Sequence, residues 1–90
     1  MIKINGKMVN KDITELDLSN NQLTHLPIEI GQLTQLTTLF LSFNELTNLP
    51  VETGQLTQLS ELYLSSNQLT HLLVEIEQLT QLTAQKNARL

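Results

Sequence analysis

The sequence predicts an α/β repeat protein, a solenoid in which short strands and short helical turns stack on one another. Three observations lead to this prediction. A 23-residue unit recurs three times, at residues 14–36, 37–59 and 60–82. Leucine supplies 20 of the 90 residues, whereas aromatic residues make up only 3%. Because rings are so scarce, the core has to be built from stacked aliphatic side chains, and a regular solenoid provides such a core.

Each unit contains two leucines separated by one residue, a spacing that predicts a short strand with its leucines pointing inward. The pairs are Leu16 and Leu18, Leu39 and Leu41, and Leu62 and Leu64. One unit cannot bury its leucines by itself. Stacking successive strands at about 4.8 Å would bury them in one continuous core beneath a parallel sheet.

Each strand is followed by an asparagine, at positions 21, 44 and 67. We expect its amide to bond the backbone of its own turn and of the neighbouring one. A Leu-Pro step at residues 26–27 and 49–50 then stops the strand, and proline suits the first position of a short helical turn. Gly31 and Gly54 are expected to end that turn.

These residues resemble the leucine-rich repeat family, whose unit reads L-x-x-L-x-L-S-x-N-x-L-T-x-L-P-x-E-I-G-Q-L-T-Q across residues 13–82. The 23-residue length and the L-P-x-E-I-G-x-L form are most similar to the intracellular Ras-group type, which includes the repeat regions of Roco proteins. The resemblance implies a right-handed solenoid with a parallel sheet on its concave face and short helical turns on its convex face. It also implies that the concave sheet binds other proteins.

Residues 1–12 depart from the repeat and predict an N-terminal hairpin cap, followed by three repeats at residues 13–82. Two apolar-rich runs flank Asn5-Gly6, a pair that favours a type I′ hairpin turn. Ile2, Ile4 and Val9 would then cover the first unit. The alternative is a disordered leader.

Residues 83–90 leave three interpretations open. A fourth unit would need leucines at positions 85 and 87, which are Gln85 and Asn87. The third unit has Leu73 and Glu77 where the earlier units have proline and glycine, so a cap helix could run from about Leu73 into this segment. The second interpretation is an open, frayed end that pairs with a second molecule. The third is that the chain is a fragment of a longer repeat array.

The charge distribution argues against several classes of partner. The net charge is −4, and between residues 12 and 85 the chain has nine acids and neither lysine nor arginine. Such a surface repels phosphates, so we expect no nucleic acid and no anionic membrane as partner, but a protein of basic or mixed charge. With no cysteine, no membrane-length apolar run and no secretory leader, a cytoplasmic protein is expected.

The sequence predicts no catalytic residue, no cofactor and no metal site. His25 and His71 occupy the same position two units apart, which would separate them by about 10 Å, too far to share one metal ion. The glycines do not form a phosphate-binding loop. We therefore expect a protein that is not an enzyme.

The candidate site lies on the outward side of the predicted sheet, where the otherwise similar units differ. Phe40 and Tyr63 are equivalent positions between inward leucines, so both rings should point to solvent on adjacent strands. The predicted partner-binding residues are Glu15, Asp17, Asn20, Phe40, Phe43, Glu61 and Tyr63. The alternative is that the rings only cover the sheet and each other.

Two functions follow from this surface. The first is a protein–protein interaction module that binds a partner through the concave sheet, with an apolar centre and an acidic rim. The second is self-assembly into a homo-oligomer through the open C-terminal unit or through the aromatic residues.

Overall fold

A computed structural model describes residues 1–69 of the chain. In this range, short strands alternate with two 3-10 helices. The strands are β1 (Ile2–Ile4), β2 (Lys7–Val9), β3 (Glu15–Asp17), β4 (Thr38–Phe40) and β5 (Glu61–Tyr63). The helices are η1 (Ile28–Gln32), between β3 and β4, and η2 (Val51–Gln55), between β4 and β5. The expectations for His71, for a helix from Leu73 and for residues 83–90 lie outside the described residues.

The first two strands form an antiparallel hairpin in which Ile2 pairs with Val9 and Ile4 with Lys7. Asn5 and Gly6 at its tip have φ angles of 53° and 81°, as a type I′ turn requires at both central positions. The hairpin that Asn5-Gly6 predicts is therefore present. Ile4 and Val9 are buried in the same core as the leucines of the repeats. The boundaries proposed for the cap and the repeats, 1–12, 13–82 and 83–90, stay predictions.

The other three strands form a parallel sheet in the order β3-β4-β5. Leu16 pairs with Leu39 and Leu39 with Leu62, so the 23-residue period of the sequence is the register of the sheet. Backbone bonds continue this ladder beyond the strands, since Leu41 N donates to Tyr63 O at 2.9 Å. The paired leucines are inside, each at most 5% exposed. The inward leucines predicted for these strands are confirmed.

Asn44 joins its own unit to the preceding one. Its Nδ2 donates to Leu41 O at 2.9 Å and to Leu18 O at 3.0 Å. Its Oδ1 accepts the backbone N–H groups of Asn21 at 2.9 Å and Leu23 at 3.0 Å. The residue is buried, and its amide satisfies backbone groups that the bend would otherwise leave unpaired. The predicted role of this asparagine in bonding two successive turns is confirmed.

Two expectations for the helical turn need correction. Pro27 and Pro50 have extended ψ angles of 150° and 153° and precede the helices, so the first helical residue is the one that follows each proline. Gly31 and Gly54 do not end the turns but lie inside η1 and η2. At Gly31 the reason is close packing between units, because a Cβ there would lie 2.9 Å from Glu52 O.

Candidate functional site

The side of the sheet opposite the leucines carries two rows of side chains, set by the parallel register. One row is Glu15, Thr38 and Glu61, and the other is Asp17, Phe40 and Tyr63. We call these six residues the outer sheet face. Buried leucines lie on both sides of each residue of the second row and follow each residue of the first row, so the core holds both rows in register.

The rings of Phe40 and Tyr63 stack on each other across β4 and β5. Their centroids are 4.9 Å apart and their planes differ by 4°. Both side chains are half-buried and neither belongs to the leucine core. The stacked arrangement is one of the geometries that aromatic pairs prefer. The structure therefore brings together the two rings that the repeat placed at equivalent positions.

Glu61 accepts a hydrogen bond from Tyr63, the ring of the pair that lies on β5. The Tyr63 hydroxyl donates a hydrogen bond of 2.6 Å to Glu61 Oε1, two residues earlier on the same strand face. This bond raises the pKa of Tyr63 above its ordinary value of 10.0, with desolvation and the negative charge of Glu61 acting in the same direction. The hydrogen bond from the Tyr63 hydroxyl to the Glu61 carboxylate restricts the ring plane of Tyr63.

Asp17 lies beside Phe40 on the neighbouring strand and is exposed. Its Oδ1 accepts the backbone N–H of Ser19 at 2.9 Å. Hydrogen bonds from the Ser19 backbone and side chain hold the pKa of Asp17 below 3.8, and the charge of Lys7 contributes in the same direction. The carboxylate is thus fixed and ionised at neutral pH, next to an aromatic ring.

Asn20 and Phe43 lie in the bends that follow β3 and β4, at equivalent positions of the repeat. Both have left-handed backbone conformations, with φ of 59° and 61°, and Ser66 at the next equivalent position has φ of 60°. Phe43 is 59% exposed although it is one of the largest apolar side chains in the protein. A bulky residue with positive φ is uncommon, because its Cβ crowds the backbone. Phe43 therefore combines an exposed ring with a strained backbone at the end of the outer sheet face.

Sequence reasoning missed four residues around these side chains. Thr38 lies between Glu15 and Glu61 but is only 8% exposed, so the centre of that row is closed rather than open to solvent. Ser42 and Ser65 hydrogen-bond through their hydroxyl groups at 3.2 Å and join the units beyond the rings. Lys7 lies in β2 of the hairpin, and its charge acts on Asp17. Thr38, Ser42 and Ser65 lie at positions of the 23-residue period, but the effect of the Lys7 charge on Asp17 has no signal in that period.

Residues 1–69 contain neither a metal-binding cluster nor a membrane-spanning helix. No group of three or more histidine, cysteine or acidic side chains there is arranged to hold a metal ion. In the same residues, no helix has the length and apolar character needed to cross a membrane. His25 is exposed, and its Nδ1 lies 3.0 Å from Thr24 Oγ1.

Comparison with known families agrees with the repeat geometry. A family model described as leucine rich repeat matches residues 34–88, more than half of the chain. The chain belongs to the leucine-rich repeat family. A second leucine-rich repeat model, which covers two copies of the repeat, matches residues 11–51. Leucine-rich repeat domains generally bind protein partners and generally act as scaffolds rather than as enzymes.

A solved leucine-rich repeat structure shows the same fold. This structure, of a leucine-rich repeat protein from Leptospira interrogans, is 54% identical to the chain and superimposes with a TM-score of 0.78. The alignment covers 80% of this chain but only 18% of the Leptospira protein. The chain thus spans less than a fifth of that leucine-rich repeat protein's length. No curated protein matches the sequence.

Proposed function

We propose that the protein is a protein–protein interaction module and that it binds its partner through the outer sheet face. One observation carries this proposal: the stacked rings of Phe40 and Tyr63 lie outside the leucine core, on a sheet face against which no other helix or strand of residues 1–69 packs. Aromatic side chains at the centre of a polar surface are typical of the residues that dominate binding energy. Family membership supports the same function.

The flanking residues fit a binding surface with an apolar centre and an acidic rim. Glu15 and Asp17 border the rings on the β3 side, and Glu61 accepts the Tyr63 hydroxyl. Phe43 and Asn20 extend the surface at the ends of the strands. The acids favour a partner of basic or mixed charge, and association should weaken as salt screens them. Because Thr38 is buried, a partner would contact mainly the row formed by Asp17, Phe40 and Tyr63.

The architecture that we propose for this surface is a right-handed solenoid with the outer sheet face on its concave side. The parallel sheet, the adjacent η1 and η2 and the 23-residue register support it. We also propose the intracellular Ras-group, Roco-like type of repeat and a cytoplasmic location, on the basis of the unit length and its L-P-x-E-I-G form.

The test compares affinity capture by the wild-type protein with capture by the double variant Phe40→Ala/Tyr63→Ala. Proteins recovered only by the wild type are purified, and their Kd is measured for both forms. The matched control is Ile28→Ala/Val51→Ala, which removes two exposed apolar side chains from the starts of η1 and η2. We expect the double ring variant to weaken binding by about 1–3 kcal/mol for each ring lost and the control to leave it unchanged. Equal binding by all three proteins would refute the proposal.

The alternative function is self-assembly into a homo-oligomer. It is supported by the exposed ring of Phe43, which a second copy of the chain could cover. Sedimentation of the wild type at increasing concentration distinguishes the two functions. A monomer at all concentrations excludes self-assembly. A dimer that Phe40→Ala or Tyr63→Ala abolishes would instead assign the outer sheet face to a second copy of the chain.

A further inference from the structure

We propose that the outer sheet face recognises an arginine side chain of the partner, which stacks on the face of the Phe40 ring that Tyr63 leaves uncovered and reaches the carboxylate of Asp17 with the edge of its guanidinium. We call this position the arginine slot. This inference rests on the proposed function and specifies the chemical group that the surface takes. Its three components are the orientation of the Phe40 ring, the position and charge of Asp17, and the scarcity of basic residues in the repeats.

The orientation of the ring follows from the stack. Adjacent strands lie about 4.8 Å apart, which is close to the 4.9 Å between the ring centroids of Phe40 and Tyr63. The rings are nearly parallel, so their planes face along the direction that runs from strand to strand. One face of Phe40 is therefore covered by Tyr63. Its other face is directed toward β3, where Asp17 is its register partner.

The carboxylate of Asp17 is held in place beside that free face. Its Oδ1 accepts the Ser19 N–H at 2.9 Å, and the side chain is exposed, so an approaching group can reach it. The lowered pKa of Asp17 keeps it ionised at neutral pH. Glu15, two residues earlier on the same side of β3, adds a second carboxylate to the same edge of the surface.

A planar cation can use its face against the Phe40 ring and its edge against the Asp17 carboxylate. A guanidinium stacks on an aromatic ring and donates two parallel hydrogen bonds to a carboxylate, whereas an ammonium acts as a compact point charge. The repeats contain no lysine or arginine from Asp12 to Gln85, so no cation of the repeats themselves competes there. The charge of Lys7 in the hairpin also contributes to the lowered pKa of Asp17, after the hydrogen bonds from Ser19. Charge and shape thus both select arginine.

The first test uses a defined probe, the acetylated and amidated tripeptide Gly-Arg-Gly, titrated into the whole ¹⁵N-labelled protein and followed by NMR. Two matched peptides replace the arginine with lysine or with citrulline, which is uncharged and nearly the same shape. We expect the arginine peptide to shift the amide signals around Asp17 and Phe40, the lysine peptide to bind more weakly, and the citrulline peptide not to bind. Shifts located elsewhere, or equal binding of all three peptides, would overturn the inference.

Three variants separate the slot from general attraction to an acidic protein. Asp17→Asn keeps an oxygen for the Ser19 N–H but removes the charge, and Phe40→Leu keeps apolar volume but removes the ring. Glu29→Gln removes one charge from η1 and is the matched control. We expect the affinity for the arginine peptide to fall on the order of tenfold in the first two variants, and by less than about twofold in the control. An equal loss in Asp17→Asn and Glu29→Gln would contradict a specific slot.

The failure of this inference can be told apart from failure of the proposed function. If Phe40→Ala/Tyr63→Ala abolishes partner capture while Asp17→Asn binds the arginine peptide as the wild type does, the interface stands and the arginine slot is wrong. If Phe40→Ala/Tyr63→Ala captures the same partner with unchanged affinity, the proposed interface is refuted. The arginine slot, which depends on that interface, is then refuted as well.

Discussion

Phe40 and Tyr63 stack with their centroids 4.9 Å apart on one side of the sheet, while the leucines that flank them lie buried on the other side. The stack joins two successive units, as the leucine pairs do inside the core. The two contacts differ in solvent exposure, because the rings are half-buried and Leu41 is completely buried. This difference separates residues that are buried in the core from residues that remain accessible to solvent.

The first prediction compares Phe40→Ala with Leu41→Ala in urea denaturation. We expect Phe40→Ala to lower the free energy of unfolding by at most about 1 kcal/mol, since a cross-strand pair is worth no more. Leu41→Ala should lower it by about 2–5 kcal/mol, because it leaves a cavity in the core. Equal losses in the two variants would show that the ring belongs to the core.

The second prediction concerns the strained backbone of Phe43. Phe43→Asn should raise the free energy of unfolding by about 0.5–1 kcal/mol, because asparagine tolerates the left-handed conformation that Asn20 already adopts at the equivalent position. The same change removes the exposed ring and should weaken partner binding. Phe43→Ala is the control, as it removes the ring without relieving the backbone. If Phe43→Asn is less stable than the wild type, the positive φ is not a source of strain.

The third prediction tests the asparagine that links the units. Asn44→Ala removes partners from the backbone N–H groups of Asn21 and Leu23 and from the carbonyls of Leu18 and Leu41. We expect a loss of about 3 kcal/mol or more in the free energy of unfolding, since each buried unpaired group costs about 1–3 kcal/mol. Asn21→Ala is the matched control, because Asn21 is exposed and its Nδ2 donates to Ser19 O. Similar losses in both would contradict the linking role.

The fourth prediction concerns Thr53 in η2, which is completely buried and whose Oγ1 has no hydrogen-bond partner. The equivalent position of the first unit is Ile30, which is also completely buried. Thr53→Val should raise the free energy of unfolding by about 1–2 kcal/mol, because an unpaired hydroxyl is removed from the core. The melting temperature should rise with it. Thr57→Val, at an exposed position of the same unit, should change stability by less than about 0.5 kcal/mol. A destabilised Thr53→Val protein would mean that the hydroxyl is satisfied in solution.

The fifth prediction is the titration of Asp17, followed by NMR. Its pKa should lie below 3.8 and rise toward that value in Ser19→Ala, because the side-chain hydrogen bond is lost while the backbone one remains. A carboxylate with a depressed pKa in the folded state stabilises the fold above its unfolded pKa, and this contribution is lost as pH falls through the folded value. The stability of Asp17→Asn should therefore depend less on pH below about 4 than that of the wild type. An unshifted Asp17 would remove the fixed carboxylate from the candidate site.

The 23-residue repeat made the strands and their register predictable from the sequence. Leu16, Leu39 and Leu62 share one position of the period, and translation by one unit brings them into register. The same translation aligns Phe40 with Tyr63, so the sequence placed the two rings on adjacent strands. Asn5-Gly6 predicted its hairpin from local chemistry, because both residues accept positive φ.

Other features depended on contacts between units that no period specifies. The repeat pattern predicts that Gly31 ends a turn, but Gly31 lies inside η1 and leaves room for the backbone of Glu52. The repeat pattern predicts that Phe43 is exposed, but its left-handed backbone conformation depends on the path of the bend. Thr53 and Ile30 occupy equivalent buried positions, although one carries a hydroxyl and the other does not.

The sequence by itself determined which residues stack and which side of the sheet each one occupies, because a regular repeat converts chain distance into spatial register. Only the tertiary structure decided how the outward side chains meet. The parallel stacking of Phe40 on Tyr63, the bond from Tyr63 to Glu61 and the action of Lys7 on Asp17 depend on rotamers and on distances between neighbouring elements. Those are fixed by packing in three dimensions, and a periodic pattern of residue types does not encode them.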